Sequence, residues 1–262
     1  MTATEETTHV EHTPSELITV LSARCLRGRR RVFAGIGLPT LAVALAQATT
    51  DPGLEQVYES GVCGAHPPRL PQTVGDAPLA TGAECILDMK SLFGYVLQGG
   101  RIDVGFLGAA QMDRWGSLNT SVIGDYARPD VRLPGPGGAA EVMANAREVF
   151  VVVRGHNPST LVGELDFCTS PAPARARRAA PRVRTRGGGV TTVVTELGLL
   201  TAAEDGELQL SAVHPGIRVA DVVAATGWPL RVAEEVAVTE PPSPAELGLL
   251  RDTIDPTRVY LR

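Results

Sequence analysis

Short apolar runs alternate with amphipathic segments along this chain, and glycine-rich turns separate them. Residues 31–34, 102–107 and 149–153 are apolar runs with the length and the β-branched or aromatic content of buried strands. Residues 16–26 and 88–98 instead repeat apolar positions every three or four residues, which is typical of helices. This alternation predicts an α/β fold with an open, mostly parallel sheet flanked by helices.

The weaker segments continue the alternation. Further strands are predicted at residues 54–58, 190–195 and 207–213, and further helices at residues 41–48, 138–145, 219–226 and 245–253. Ser15 is a candidate N-cap for the first helix, since its hydroxyl can accept a hydrogen bond from the first turn. Residues 1–14 are polar and predict a flexible tail, so residues 15–262 are expected to form one domain, with a loop insertion near residues 157–189.

Composition narrows the range of functions. The net charge of −5 argues against a general nucleic-acid binder, which would carry a basic balance. The four cysteines contain no C-x-x-C pair and the five histidines have no metal-ligand spacing, so we expect a reduced cytoplasmic protein without a metal site. No apolar stretch is long enough to span a membrane, and the N-terminus lacks the apolar core of a secretory signal.

Glu59 is the most informative candidate for chemistry. It directly follows a predicted strand, and Ser60 and Gly61 come next. A carboxylate in this position can act as a nucleophile toward a thioester. The glycine-rich turns Gly35-Ile36-Gly37 and Gly135-Pro136-Gly137-Gly138-Ala139 precede and follow it in the sequence. Backbone N–H groups in such turns can approach a ligand closely and can stabilise an oxyanion.

Other catalytic interpretations have weaker support. The first glycine turn lacks the third glycine of a dinucleotide-binding fingerprint, because Thr40 occupies that position. Ser60 lacks the Gly-x-Ser-x-Gly context of a nucleophilic serine. Cys63 and His66 follow Glu59 closely, and we interpret them as a buried inert thiol and a loop histidine without a catalytic role.

A cluster of arginines marks the insertion. Its members are Arg175, Arg177, Arg178, Arg182, Arg184 and Arg186. A solvated loop is the favoured interpretation, and contact with phosphates or with an acidic subunit face is the alternative.

Together, the ordered motifs resemble the β subunit of class I coenzyme A transferases, of the type represented by the B-type subunit of glutaconate CoA-transferase. The resemblance extends from about residue 31 to the C-terminus. Besides the two glycine turns and Glu59-Ser60-Gly61, the matching segments are residues 73–76, 108–113, 116–119, 123–126 and 165–171.

This resemblance implies a mechanism and a set of site residues. Glu59 would be the nucleophile, carrying CoA between an acyl-CoA and a carboxylic acid as a glutamyl-CoA thioester with ping-pong kinetics. Gly137 and Gly138, and with less support Gly37, would supply backbone donors to the oxyanion. The residues expected near the substrate or CoA are Gly35, Ser60, Gly61, Asn119 and Ala139.

The resemblance also implies partners. Coenzyme A is expected as a substrate, with no tightly bound cofactor. An α subunit of similar fold would complete a hetero-oligomer, of α2β2 or larger composition, with the active site near the subunit interface.

Pro136 departs from the family pattern, because proline removes a backbone donor from the second glycine turn. Two alternatives therefore stay open. One is an acyl-CoA or ring-opening hydrolase on the same scaffold, and the other is a non-catalytic CoA-binding subunit. The ring-cleaving branch of the family lacks the glutamate, so the presence of Glu59 favours the transferase.

Overall fold

Fourteen strands are present in the computed structural model, which describes residues 11–180, 182 and 185–261. The strands are β1 (Arg31–Ala34), β2 (Glu55–Val57), β3 (Val62–Cys63), β4 (Cys85–Ile86), β5 (Val104–Leu107), β6 (Gln111–Met112), β7 (Leu118–Asn119), β8 (Val122–Gly124), β9 (Pro129–Arg132), β10 (Glu148–Val152), β11 (Val190–Val194), β12 (Gly198–Ala202), β13 (Leu208–Val213) and β14 (Arg231–Val238). Ten of them form one sheet, in the order β14-β13-β12-β11-β10-β5-β1-β2-β3-β4.

The centre of this sheet is parallel. Strands β2, β1, β5, β10 and β11 all run in one direction, whereas β3, β4 and β12 join through antiparallel pairs. Strands β6–β7 and β8–β9 form two separate antiparallel pairs. The predicted α/β class with a mostly parallel sheet is confirmed.

Helices flank the sheet. They are α1 (Pro14–Cys25), α2 (Leu38–Thr49), α3 (Met89–Ser91), α4 (Ala139–Asn145), α5 (Pro173–Ala179), α6 (Val219–Ala224) and α7 (Pro244–Gly248). Single π-helical segments extend α3 through Leu92–Leu97 and α7 through Leu249–Ile254, and a 3₁₀ turn covers Ala77–Ala80. Among the described helices, none is both long enough and apolar enough to cross a membrane.

Strand β1 shows why both faces of the sheet are covered. Val32 and Ala34 pack into the cluster that includes α1 and α2, and Phe33 points into the opposite cluster, which includes residues of α4 and α6. Alternate side chains of a strand point to opposite faces, so an apolar strand needs cover on both sides.

Several local predictions were wrong. Thr13, not Ser15, caps α1: its hydroxyl accepts from Glu16 N at 3.2 Å, and the Glu16 carboxylate accepts from Thr13 N at 2.8 Å. The helix already begins at Pro14, and residues 1–10 of the predicted tail lie outside the described residues. Within the predicted loop insertion, Pro173–Ala179 is helical because alanines and arginines favour a helix.

Strands β12 and β14 were not predicted. Strand β12 begins with a glycine, which is poor in strands. Strand β14 lies at the sheet edge, where most of its residues are exposed or partly exposed, so it lacks an alternating apolar pattern.

The pair Glu16–Arg251 joins α1 to the C-terminal helix. Arg251 Nε lies 2.6 Å from Glu16 Oε1, and the Glu16 side chain is only 1% exposed. Its hydrogen bond from Arg251 lowers the pKa of Glu16 from 4.5 to about 2. A lowered carboxyl pKa stabilises the folded state above the unfolded pKa, and that stability is lost as the pH falls through the folded value.

Replacement Glu16→Gln is therefore expected to lower the free energy of unfolding at neutral pH by about 3 kcal/mol. Between pH 4.5 and about 2, where the wild type loses this contribution, the variant should show the shallower pH dependence. Urea unfolding at several pH values measures both. Asp221→Asn, in the exposed pair with Arg218, is the control and should have little effect. Equal effects of the two variants would contradict the prediction.

Candidate active site

A tight turn after β2 carries Glu59. Strand β2 pairs with β3 through Val57 and Cys63, and Gly61 N donates to Tyr58 O at 2.9 Å. Gly61 has a φ of +95°, and a Cβ at this position would lie 1.9 Å from Leu87 O. Only glycine fits both demands, so Gly61 fixes the direction in which the turn presents Glu59.

The Glu59 side chain is partly exposed, and no ion pair or hydrogen bond with any described residue occupies its carboxylate. It lies against the second glycine turn. A Cβ at Gly137 would be 3.5 Å from Glu59 Oε1, and a Cβ at Gly138 would be 3.2 Å from the same oxygen. The absence of side chains at these two glycines leaves room for the carboxylate.

The residues of the second glycine turn differ in whether their backbone N–H can donate to a ligand. Pro136 has no N–H, and the N–H of Ala139 already donates to Pro136 O at 2.8 Å. The N–H groups of Gly137 and Gly138 donate to no residue that the structure describes. Pro136 therefore leaves intact the two donors that the sequence resemblance assigns to the oxyanion.

Glu59 and Gly138 line two cavities. The inner cavity, of about 180 Å³, is mainly apolar and backbone-lined: its other lining residues are Phe33, Gly35, Ile36, Pro39, Phe106, Leu107, Gly108, Pro136, Ala139 and Val142. The outer cavity is larger, at about 690 Å³, and its other lining residues are Met89, Lys90, Phe93, Gly137 and Glu141. A carboxylate between two cavities can contact groups that enter from either side.

The topology explains this convergence. Strands β1, β2 and β5 are parallel neighbours, so their carboxyl ends meet at one edge of the sheet. The first glycine turn, Glu59 and Gly108 follow these three strands. Ligands of open α/β sheets bind at this edge.

The predicted substrate-proximal residues differ in position. Gly35 and Ala139 line the inner cavity. Gly37 has a φ of +103° and caps the start of α2, next to that cavity but not in its wall. Ser60 and Gly61 belong to the Glu59 turn without lining either cavity, and the buried Ser60 hydroxyl has no hydrogen-bond partner among the described residues.

Asn119 is not brought to the cavities. Its amide nitrogen donates to Gln111 Oε1 at 2.8 Å and to Val122 O at 2.6 Å, and its oxygen accepts from Ser121 N at 3.0 Å. The adjacent Thr120 O accepts from Gly135 N at 2.8 Å. Asn119 thus shapes the loop that anchors the second glycine turn.

Neither Cys63 nor His66 lines the two cavities beside Glu59. Burial raises the pKa of the Cys63 thiol to about 12, which keeps it protonated at neutral pH. His66 lines a separate cavity of about 250 Å³ together with Tyr58 and Arg69. Among the described residues, no cluster of histidine, cysteine, aspartate or glutamate could hold a metal ion.

Two arginines of the basic cluster serve the local structure. Arg175 Nη1 lies 2.7 Å from the buried Asp113, and the Arg178 guanidinium lies 4.3 Å from the centre of the Trp115 ring. Arg184 lies outside the described residues. The helix α5 thereby packs onto residues 113–115, so the segment is not the free loop that the sequence favoured.

Met89, Lys90, Phe93 and Glu141 were missed as cavity residues. The first three are far from either glycine turn in sequence, and they reach the site because Leu87 N donates to Gly61 O at 2.9 Å. One signal was present in the sequence: Lys90 is the only lysine among the 24 lysine and arginine residues.

Comparison with known proteins identifies the family. The model of the coenzyme A transferase family matches residues 23–225, and this chain belongs to that family. The sequence is 42% identical over 241 residues to the B-type subunit of 3-oxoadipate CoA-transferase from Pseudomonas knackmussii, covering 92% of each chain. It is therefore an enzyme subunit of the CoA-transferase B, or β, type.

Two further relatives bear on the structure and on the range of activities. The B-type subunit of glutaconate CoA-transferase from Acidaminococcus fermentans is 28% identical over 261 residues, covering 97% of each chain. The crystal structure of that enzyme superposes with a TM-score of 0.86 over 96% of this chain and 98% of that one. The IpdB subunit of a cholesterol ring-cleaving hydrolase from Rhodococcus jostii is 25% identical over 252 residues, covering 95% of each chain.

Proposed function

We propose that Glu59 is the covalent acyl and CoA acceptor of a CoA transferase. The observation that carries this proposal is the position of the Glu59 carboxylate, which lies against Gly137 and Gly138 between two cavities and makes no hydrogen bond or ion pair with a described residue. A carboxylate held in an ion pair remote from any cavity could not perform this chemistry.

The reaction begins when a Glu59 oxygen attacks the thioester carbonyl carbon. The carbon–sulfur bond breaks, which leaves a mixed anhydride and CoA thiolate. The thiolate then attacks the Glu59 carbonyl, releasing the acyl group as its carboxylate and forming a glutamyl-CoA thioester. An acceptor carboxylate reverses the sequence, so the energy of the thioester is retained and the kinetics are ping-pong.

Each attack passes through a tetrahedral oxyanion. The free N–H groups of Gly137 and Gly138 are the donors for this charge, and the loss of an essential donor of this kind costs about 3–4 kcal/mol in the barrier. Gly37, which has no place in the cavity walls, is a secondary candidate. The anhydride and thioester also need protection from water, and the apolar walls of the inner cavity support that role.

The substrate and partner follow from the relatives. The 42% identity over 92% of the chain supports 3-oxoadipate as the carboxylic acid, with an acyl-CoA as donor. Both transferase relatives are B-type subunits, which supports an A-type, or α, subunit as the partner that completes the enzyme.

Chemical trapping tests the proposal. The chain is co-expressed with its A-type subunit, incubated with acyl-CoA alone and treated with borohydride, which reduces a glutamyl thioester to the alcohol. Peptide mass spectrometry is expected to find this change at Glu59 only after exposure to acyl-CoA. Glu59→Gln is the control, and an unmodified Glu59 peptide in an active preparation would contradict the covalent mechanism.

Hydrolysis of the acyl-CoA thioester on the same scaffold is the alternative outcome. In a hydrolase, Glu59 would activate water and CoA would be released without a carboxylic acceptor. Sustained CoA release from acyl-CoA that does not depend on the acceptor would favour hydrolysis. A single stoichiometric release followed by acceptor-dependent turnover would support transfer.

A further inference from the structure

Lys90 occupies an unusual place in this molecule. It is the only lysine of the chain, and every other basic side chain is an arginine or a histidine. It lies on the short helix α3, is exposed, and lines the outer cavity together with Glu59. No ion pair or hydrogen bond holds its ammonium group to another described residue.

The other residues that line the outer cavity determine the charge and polarity around Lys90. Lys90 is the one basic side chain among the described residues that line it. Met89 and Phe93 are the apolar members of the wall. Glu141 is acidic, but its carboxylate already accepts hydrogen bonds from Gln98 at 3.2 Å and Asn145 at 3.0 Å. The cavity therefore combines a nucleophile, apolar walls and one unpaired positive charge.

We propose that Lys90 binds the free carboxylate of a dicarboxylic acyl group while the thioester end of that group meets Glu59. This inference rests on the proposed CoA transfer at Glu59. A short carbon chain would lie along Met89 and Phe93, where its burial is favourable, and its far end would meet the ammonium group.

Size and chemistry favour the acyl carboxylate over the phosphates of CoA. A long pantetheine arm separates those phosphates from the thioester, whereas the second carboxylate of a dicarboxylic acyl group lies only a short chain away. The volume of about 690 Å³ suits a small ligand. The compact charge of lysine, on a flexible stem, can follow a mobile carboxylate without the fixed fork geometry of arginine.

Two acyl donors of equal chain length test this inference. Adipyl-CoA carries the second carboxylate and hexanoyl-CoA lacks it. For the enzyme with its A-type subunit, Lys90→Met is expected to lower kcat/KM for adipyl-CoA at least about tenfold and to leave that for hexanoyl-CoA unchanged or higher. Arg128→Met, which removes an exposed cation outside both cavities, should leave both values unchanged.

Two results would overturn the inference. An equal loss of kcat/KM with both donors would mean that Lys90 contacts a part of the molecule that both donors share. No loss of kcat/KM with either donor would mean that Lys90 does not bind the acyl group. Calorimetric binding of free adipate and hexanoate to the same proteins separates this question from catalysis. Selective loss of adipate binding in Lys90→Met would support the carboxylate site even if no donor were turned over. Borohydride trapping at Glu59 without a selective loss of adipate binding would refute the role of Lys90 and would still support the proposed CoA transfer.

Discussion

Replacement Glu59→Gln is expected to reduce the rate of CoA transfer by about 10⁴-fold or more, because the amide cannot form the acyl anhydride or the glutamyl thioester. The fold should be unaffected, since the Glu59 carboxylate makes no hydrogen bond or ion pair within the described residues. Initial rates with saturating acyl-CoA and acceptor measure the effect, and thermal unfolding checks the fold.

Glu59→Asp is the matched control for the position of the carboxylate. It keeps the charge but withdraws the carboxylate by one methylene from Gly137 and Gly138, so its activity should fall between those of the wild type and Glu59→Gln. CoA transfer at the wild-type rate by Glu59→Gln would show that Glu59 does not take part in the chemistry. Borohydride trapping at Glu59 in the wild type could then not be explained as a step of the reaction.

Replacement Gly138→Ala is expected to lower kcat/KM by about 100-fold. The added Cβ would lie 2.8 Å from Phe93 Cζ and 3.2 Å from Glu59 Oε1, so the ring, the carboxylate or the turn must shift. Gly138 has a φ of −84°, which alanine adopts readily, and the effect is therefore one of space and not of backbone strain. Steady-state kinetics together with the yield of borohydride trapping measures it.

Gly94→Ala is the neighbouring control. Gly94 follows Phe93 in the π-helical segment, is exposed, and has open space at its Cβ position. Alanine there should leave activity intact. A comparable loss in both variants would show that the outer wall, and not the contact with Glu59, limits the reaction.

Much of the central architecture could be predicted because its signals are local. The apolar runs at β1, β5 and β10 are continuous in the sequence, and the carboxyl ends of parallel strands must share an edge. For the same reason Glu59 and the first glycine turn could be placed at one sheet edge from the amino-acid sequence, whereas the second glycine turn follows β9, outside the parallel sheet, and was grouped with them by its motif.

The outer wall of the site could not be predicted in this way. Met89, Lys90 and Phe93 lie beside Glu59 because β3 and β4 fold back next to the Glu59 turn, and these short strands give no periodic signal in the sequence. The position of Asn119 could not be read from the sequence either. Its motif suggested contact with the substrate, yet its side-chain hydrogen bonds serve the loop around it, a distinction that the sequence does not contain.

The packing of Gly61 against Leu87 has a mechanical consequence. The hydrogen bond from Leu87 N to Gly61 O couples the Glu59 turn to the chain segment that reaches Lys90 three residues later. A displacement of this hairpin would carry the two charged groups together and preserve the gap between them. If Glu59 and Lys90 bind the two ends of the acyl group as proposed, the length of acyl chain that fits between them is determined by this one short stretch of backbone.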